Sequence, residues 1–209
     1  MTTIGQSKLL LKRAYHLKDG EAKPLYRDWA DSYDADLVES LGYVGPVRVA
    51  DIAHSCCPDV SARILDVGCG TGLVAQRLSQ LGHKQIDGLD FSKEMLEVAR
   101  SKDIYVDLMN ADLTKTLSIN PSVYDLVVSC GTFTHSHVGP EAFDELLRII
   151  RPNGIVCVSI NAEIYESNGF YKKLSNLESA GKILIESKTT IKLTVNEPVD
   201  GFVVVFKKL

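Results

Sequence analysis

Three glycines at alternate positions, Gly68, Gly70 and Gly72, directly follow the apolar run 63–67. Without Cβ atoms, this backbone can adopt positive φ angles and approach a ligand closely, and a helix that starts after it would offer unpaired N–H groups. A tight turn needs one glycine for its geometry. Three alternate glycines therefore favour a site where main-chain amides bind a ligand.

The glycine spacing distinguishes between classes of nucleotide site. A P-loop ends in Gly-Lys-Ser or Gly-Lys-Thr, whereas Gly72 is followed by Leu73, which argues against nucleoside triphosphate hydrolysis. A dinucleotide site usually has the spacing GxGxxG, and this sequence has GxGxG. Asp90, which ends the next apolar run, can bind ribose hydroxyls in either class, although it could also be a helix cap. The pattern therefore predicts a nucleoside ligand but does not identify which one.

Around this turn, apolar runs of strand length alternate with segments of helical spacing. We predict parallel strands at 63–67, 85–89, 104–109, 124–129 and 155–160, with Ser92 as a helix N-cap and Pro140 opening a later helix. The runs 183–195 and 202–207 have no helix between them and should pair antiparallel at the sheet edge. This is an α/β fold with a doubly wound, mostly parallel, Rossmann-like sheet.

The first 60 residues have helical spacing instead. Tyr26, Ala30, Tyr33 and Leu37 recur at i, i+4, i+7 and i+11, with Trp29 beside them. We therefore expect residues 1–60 to form helices that precede a ligand-binding domain at 61–209.

Composition narrows the class of protein. The chain has 209 residues, 45% of them hydrophobic and 24% charged, with a net charge of −4, which is typical of a soluble globular protein without nucleic-acid or membrane partners. Five cysteines without a CxxC pair suggest free thiols in a reducing compartment. The apolar run 9–11 is too short for a signal peptide or a membrane span, so we expect a cytoplasmic protein.

An ordered set of motifs resembles the class I S-adenosylmethionine-dependent methyltransferases. The motifs LDVGCGTG, GLDFSKEML, NADL, YDLVVS and LRIIRPNG follow one another in the family's order between residues 65 and 154. The N-terminal LYRDWADSYDADL, followed by LGYVGP, resembles more narrowly the methyltransferase-like proteins of the Williams–Beuren syndrome chromosome region. The resemblance implies a seven-stranded sheet with an antiparallel last strand, S-adenosyl-L-methionine as cofactor, and methyl transfer.

The resemblance also implies roles for individual residues. Asp66 and the glycine loop would hold the methionine end of the cofactor, Asp90 the ribose hydroxyls, and Phe91 and Asp112 the adenine. Aromatic residues of the N-terminal helices would close over it, although core packing is an equal alternative for Tyr26 and Trp29. The full expected set is Tyr26, Trp29, Tyr33, Asp66, Gly68, Cys69, Gly70, Gly72, Asp90, Phe91, Asp112, Leu113 and Ser129.

Few catalytic side chains are required for this chemistry. A sulfonium methyl group is already a strong electrophile, so a protein mainly aligns the nucleophile and excludes water. If the acceptor must lose a proton, His135 and His137 are the candidate bases. They could equally be solvated loop residues, and no acidic or cysteine partner with ligand spacing suggests a metal.

The acceptor is expected to be a small molecule bound in an apolar-aromatic pocket under the N-terminal helices. Residues 129–133 read SCGTF, where enzymes that methylate amino groups of nucleic acids have an Asn/Asp-Pro-Pro-Tyr/Phe signature. One rival function is a non-catalytic cofactor-binding module that acts through partners. Another is an NAD-dependent oxidoreductase, which the glycine spacing and Asp112 disfavour.

Overall fold

The computed structural model describes residues 3–14, 17, 21–135, 138–196 and 199–209. Within these residues, seven strands form one sheet in the order β3-β2-β1-β4-β5-β7-β6. The strands are β1 (Ile64–Val67), β2 (Ile86–Asp90), β3 (Asp107–Asn110), β4 (Tyr124–Phe133), β5 (Ile150–Asn161), β6 (Ile183–Lys192) and β7 (Asp200–Lys208). The helices are α1 (Thr3–Ala14), α2 (Ala22–Trp29), α3 (Gly45–Cys56), α4 (Leu73–Gln80), α5 (Lys93–Ser101), α6 (Ala142–Ile149) and α7 (Phe170–Ser179).

The pairing of the strands confirms the doubly wound fold. Strand β1 pairs in parallel with β2 and β4, β2 with β3, and β4 with β5. Strand β7 runs antiparallel to both β5 and β6, as expected for the last two runs. The strand order reverses between β1 and β4, and ligands of open α/β sheets bind at the carboxyl ends of the strands at such a switch point.

Two hydrophobic cores cover the two faces of the sheet. Side chains alternate along β1, so that Ile64 joins a core with α3 and α4, whereas Leu65 joins the core with α6 and α7. The sheet is therefore packed on both of its faces. None of the described helices is long and apolar enough to cross a membrane.

The N-terminal segments form a third core, which includes Trp29 and Leu37. The periodicity predicted one helical face from Tyr26 to Leu37, but the helix breaks after Trp29 and resumes as a π-helical segment, Ala35–Ser40. The buried carboxylate of Asp36 accounts for the break, since it accepts hydrogen bonds from the Trp29 indole at 2.8 Å and from the hydroxyls of Ser7 and Ser32 at 2.6 and 2.8 Å. Helix α3 packs on the sheet instead.

Candidate active site

A cavity of about 280 Å³ lies at the carboxyl ends of β1, β2 and β4. Its wall combines the turn after β1, the end of β2, the end of β4 and two tyrosines of the N-terminal segments. Its lining includes Tyr26, Tyr33, Gly68, Gly70, Asp90, Phe91, Met95, Asp112, Leu113, Cys130, Gly131, Thr132 and Val138. The topology thus places a partly open cavity at the switch point.

The glycines of the turn serve two different purposes. All three have positive φ, at 63° for Gly68, 53° for Gly70 and 92° for Gly72. A Cβ on Gly68 would lie 2.0 Å from Thr132 Oγ1, and one on Gly72 would lie 3.0 Å from the Tyr105 ring. A Cβ on Gly70 would meet no atom within 4 Å, because this residue faces the cavity. Gly68 and Gly72 therefore allow close packing, and Gly70 leaves its backbone open to a ligand.

Asp90 ties the end of β2 to this turn. Its carboxylate is buried and accepts hydrogen bonds from the backbone N–H of Gly70 at 2.9 Å and of Ser92 at 2.8 Å. Burial raises the pKa of Asp90, while these backbone N–H groups lower it. Ser92 caps α5, as predicted, by accepting from the Met95 N–H at 3.3 Å. Each carboxylate oxygen keeps a lone pair for a further donor in the cavity.

Asp66 lies behind the cavity wall rather than in it. Its side chain is fully buried, and Oδ2 accepts a hydrogen bond from the Tyr105 hydroxyl at 2.8 Å. Loss of solvent raises the pKa of Asp66 to about 7, against the opposing effects of the Tyr105 hydroxyl and the Ala75 N–H in the first turn of α4. The carboxyl thus supports the turn from below.

Tyr105 is a supporting residue that the sequence interpretation missed. Its ring fills the space above Gly88, where a Cβ would come within 2.8 Å of it. Gly88, a glycine inside the apolar strand β2, is the sequence signal that another group packs closely against the strand here. Tyr105 thereby connects the start of β3 to Asp66.

One end of the cavity is bounded by Phe91, Met95, Asp112 and Leu113. Asp112 Oδ1 accepts hydrogen bonds from the N–H and the hydroxyl of Thr114, at 2.9 and 2.6 Å. The Thr114 hydroxyl holds the pKa of Asp112 below its usual value, in spite of partial burial. An ionised carboxylate therefore borders this end.

Tyr26 and Tyr33 cover the cavity from the N-terminal side. The Tyr26 ring meets the edge of Phe91 with centroids 6.2 Å apart, and meets Tyr33 at the same separation. Trp29 is instead 2% exposed and lies in the third core, outside the cavity wall. The two tyrosine rings thus cover this side of the cavity, and both contact Trp29.

The opposite end is formed by the last residues of β4. Cys130, Gly131 and Thr132 reach the cavity, because β4 extends to Phe133 rather than ending at Ser129 as the sequence suggested. The partly buried Cys130 thiol lies 3.3 Å from the Tyr43 hydroxyl, and loss of solvent raises its pKa to about 11. It is therefore a neutral thiol and a weak nucleophile.

The remaining sequence-predicted residues lie outside the cavity wall. Ser129 is buried and donates its hydroxyl hydrogen to the Val67 carbonyl at 2.7 Å, and Cys69 is a buried, free thiol. His135 Nε2 lies 3.4 Å from a carboxylate oxygen of Glu163. His137 lies outside the described residues. Among those described, no three metal-ligating side chains form a cluster.

Comparison with known proteins identifies the family. Residues 64–154 match the family model for a methyltransferase domain. The chain is 36% identical over 164 residues to Methyltransferase-like protein 27 of Homo sapiens, covering 75% of this chain and 65% of that protein. The chain belongs to the class I S-adenosylmethionine-dependent methyltransferases. The human relative also supports the narrower resemblance drawn from the N-terminal motif.

Other members of the methyltransferase family extend the comparison. The chain is 34% identical over 133 residues to the malonyl-[acyl-carrier protein] O-methyltransferase of Buchnera aphidicola, covering 63% of this chain and 52% of that protein. An S-adenosylmethionine-dependent methyltransferase structure from Mesorhizobium loti shares the fold, with a TM-score of 0.58 at 18% identity over 76% of this chain and 96% of that chain. The chain spans less than two thirds of the length of these two curated relatives.

S-adenosyl-L-methionine is the cofactor of this family, and the cavity fits it on two observations. Gly70 presents bare backbone to the interior. The buried Asp90 carboxylate lines the same interior and can accept from hydroxyl groups. A sulfonium nucleoside offers both a charged aminoacyl tail and ribose hydroxyls, which match these two features.

Proposed function

We propose that this chain transfers a methyl group from S-adenosyl-L-methionine to a small acceptor bound beneath the N-terminal segments. The observation that carries the proposal is the juxtaposition of Gly70, which has open space on its cavity side, with the Asp90 carboxylate that binds its N–H at 2.9 Å. Bare backbone and a carboxylate at one strand-to-helix turn suit a nucleoside with a polar tail.

In this proposal the turn at Gly68 and Gly70 holds the methionine end, with Asp66 supporting the turn from behind. Asp90 accepts from the ribose hydroxyls. Asp112 and the backbone of Leu113 bind the adenine amino edge.

The bound cofactor would supply a methyl group on a positively charged sulfur, which needs little further activation. The chain's own task is to orient the acceptor and keep water away. Tyr26 and Tyr33 suit that task, because they cover the cavity with aromatic surface. Residues 1–60 would then contribute a lid, with α3 as its attachment to the sheet.

The acceptor end would lie near Cys130, Gly131 and Thr132. The described wall there has no charged side chain, which favours a small, uncharged or weakly polar acceptor group. One curated relative is an O-methyltransferase by name, so carboxyl and phenol oxygens are the first acceptors to test. His135 and His137 stay the proposed bases for an acceptor that must lose a proton.

The test has two stages. Calorimetry should show that S-adenosyl-L-methionine and S-adenosylhomocysteine bind and that NAD does not, whereas NAD binding would favour an oxidoreductase. Purified protein is then incubated with panels of small carboxylic acids and phenols, and release of S-adenosylhomocysteine is measured. Cofactor binding without turnover on any acceptor would favour the non-catalytic module over the enzyme.

A further inference from the structure

One loop residue faces away from the cavity, towards the N-terminal segments. Thr71 lies between Gly70 and Gly72 and is 1% exposed. Its hydroxyl donates to Asp34 Oδ1 at 2.5 Å, across 37 residues of sequence. Asp34 comes directly after Tyr33, whose ring covers the cavity. This hydrogen bond therefore joins the N-terminal segment that carries Tyr33 to the glycine turn.

The second oxygen of the same carboxylate is also held by the sheet domain. Lys102 Nζ donates to Asp34 Oδ2 at 2.6 Å, and the lysine side chain is 17% exposed. Lys102 is the C-cap of α5, where a cation is favoured by the helix dipole. The first turns of the same helix carry Met95, which lines the cavity. Asp34 thus bridges the turn and the helix on the two sides of the proposed cofactor.

Other side chains also contact the turn: Thr132 packs against Gly68, and the Tyr105 ring packs against Gly72. Its inner side is fixed where Asp90 binds the Gly70 N–H. Three positive-φ glycines would otherwise give this segment many conformations. The outer side is fixed where Thr71 meets Asp34, so the two carboxylates hold the turn from opposite sides.

We propose that Asp34 is a positioning residue: it holds the glycine turn in its binding conformation through Thr71, with Lys102 fixing the carboxylate. Asp34 does not line the cavity, so it would act through the loop and through the backbone of Tyr33. This inference rests on the proposed cofactor site and adds a residue to which no role was assigned from the sequence.

The test compares variants at both ends of the hydrogen bond. Thr71→Val removes the hydroxyl at nearly constant volume, and Thr71→Ser keeps it. Asp34→Ala and Lys102→Met remove the other groups, and Asp31→Ala removes an exposed carboxylate of the same segment as a control. Affinity for S-adenosylhomocysteine is measured by calorimetry, and amide hydrogen exchange of residues 68–73 is measured in the ligand-free protein.

Loss of one charge-assisted hydrogen bond that holds the turn should weaken binding about tenfold in Thr71→Val and Asp34→Ala. Exchange of residues 68–73 should rise in both, while Thr71→Ser and Asp31→Ala stay near wild type. The double variant Asp34→Ala/Thr71→Val should bind no more weakly than the weaker single variant, because both remove the same interaction.

Wild-type affinity and unchanged loop exchange in Thr71→Val would overturn the proposal. If Asp34→Ala fails to fold, the comparison of Thr71→Val with Thr71→Ser decides the matter without it. If the wild-type protein binds no S-adenosylhomocysteine, the proposed function fails, but the exchange of the ligand-free loop still tests whether Asp34 holds it.

Discussion

Replacing Gly70 by alanine should selectively weaken cofactor binding. The added methyl group would meet no protein atom within 4 Å, yet it would enter the cavity that Gly70 lines. Gly181 offers a matched control, because its φ of 65° is close to the 53° of Gly70 and its Cβ would also meet nothing within 4 Å. Gly181 is exposed after α7, far along the chain from the cavity residues.

The magnitudes follow from this geometry. An alanine in the left-handed region costs about 1–2 kcal/mol of folding free energy, whatever the space around it. Gly70→Ala and Gly181→Ala should therefore destabilise the protein by similar amounts. A methyl group that intrudes on a close-packed ligand costs a further ~1–3 kcal/mol of binding free energy, which is about a ten- to hundredfold loss of affinity in Gly70→Ala alone.

Urea unfolding and calorimetry with S-adenosylhomocysteine measure the two quantities on the same samples. We expect similar unfolding midpoints for both variants and weakened binding in Gly70→Ala only. Undiminished affinity in Gly70→Ala, or an equal loss in Gly181→Ala, would refute the argument that this backbone position faces the ligand.

Asp90→Ala should weaken S-adenosylhomocysteine binding by about ten- to a hundredfold, because it removes both the ribose acceptor and the partner of the Gly70 N–H; unchanged calorimetric affinity in the folded variant would contradict this placement. The pKa of Asp66 is raised to about 7 in the folded chain, so folding takes up a proton and stability falls as the pH rises from the ordinary carboxyl pKa to that value. Urea unfolding of the ligand-free protein should show that the free energy of unfolding of wild type falls by about 2 kcal/mol, relative to Asp66→Asn, between about pH 5.5 and about pH 8. If the two proteins have parallel pH profiles, Asp66 does not have a raised pKa. The double variant His135→Gln/His137→Gln should lower turnover by about a hundredfold or more if either residue is the base, while its affinity for S-adenosylhomocysteine stays unchanged. Full activity of this variant would show that neither histidine is the base.

Much of the fold could be predicted, because its signals are local. Apolar runs of strand length, the Ser92 cap and the missing helix between β6 and β7 each reflect nearby residues. A turn with positive φ angles after β1 could also be predicted, since three glycines in five residues permit a backbone that other residues rarely adopt.

The rest depended on contacts that are distant in sequence. The Tyr105 hydroxyl reaches Asp66 across 39 residues, and Thr71 meets Asp34 across 37. Periodicity could not show that the Asp36 carboxylate would interrupt the helix after Trp29, because its partners include Ser7 on another helix. Nor could the glycine spacing show that Gly68 and Gly72 leave room for the side chains of Thr132 and Tyr105, whereas Gly70 faces open space.

A crystal structure of the protein with S-adenosylhomocysteine would test the central claim most directly. We expect the aminoacyl tail against the backbone of Gly68 and Gly70, and the ribose hydroxyls within hydrogen-bonding distance of the Asp90 carboxylate. Nucleoside density elsewhere, or a cavity left empty at saturating ligand, would contradict the account.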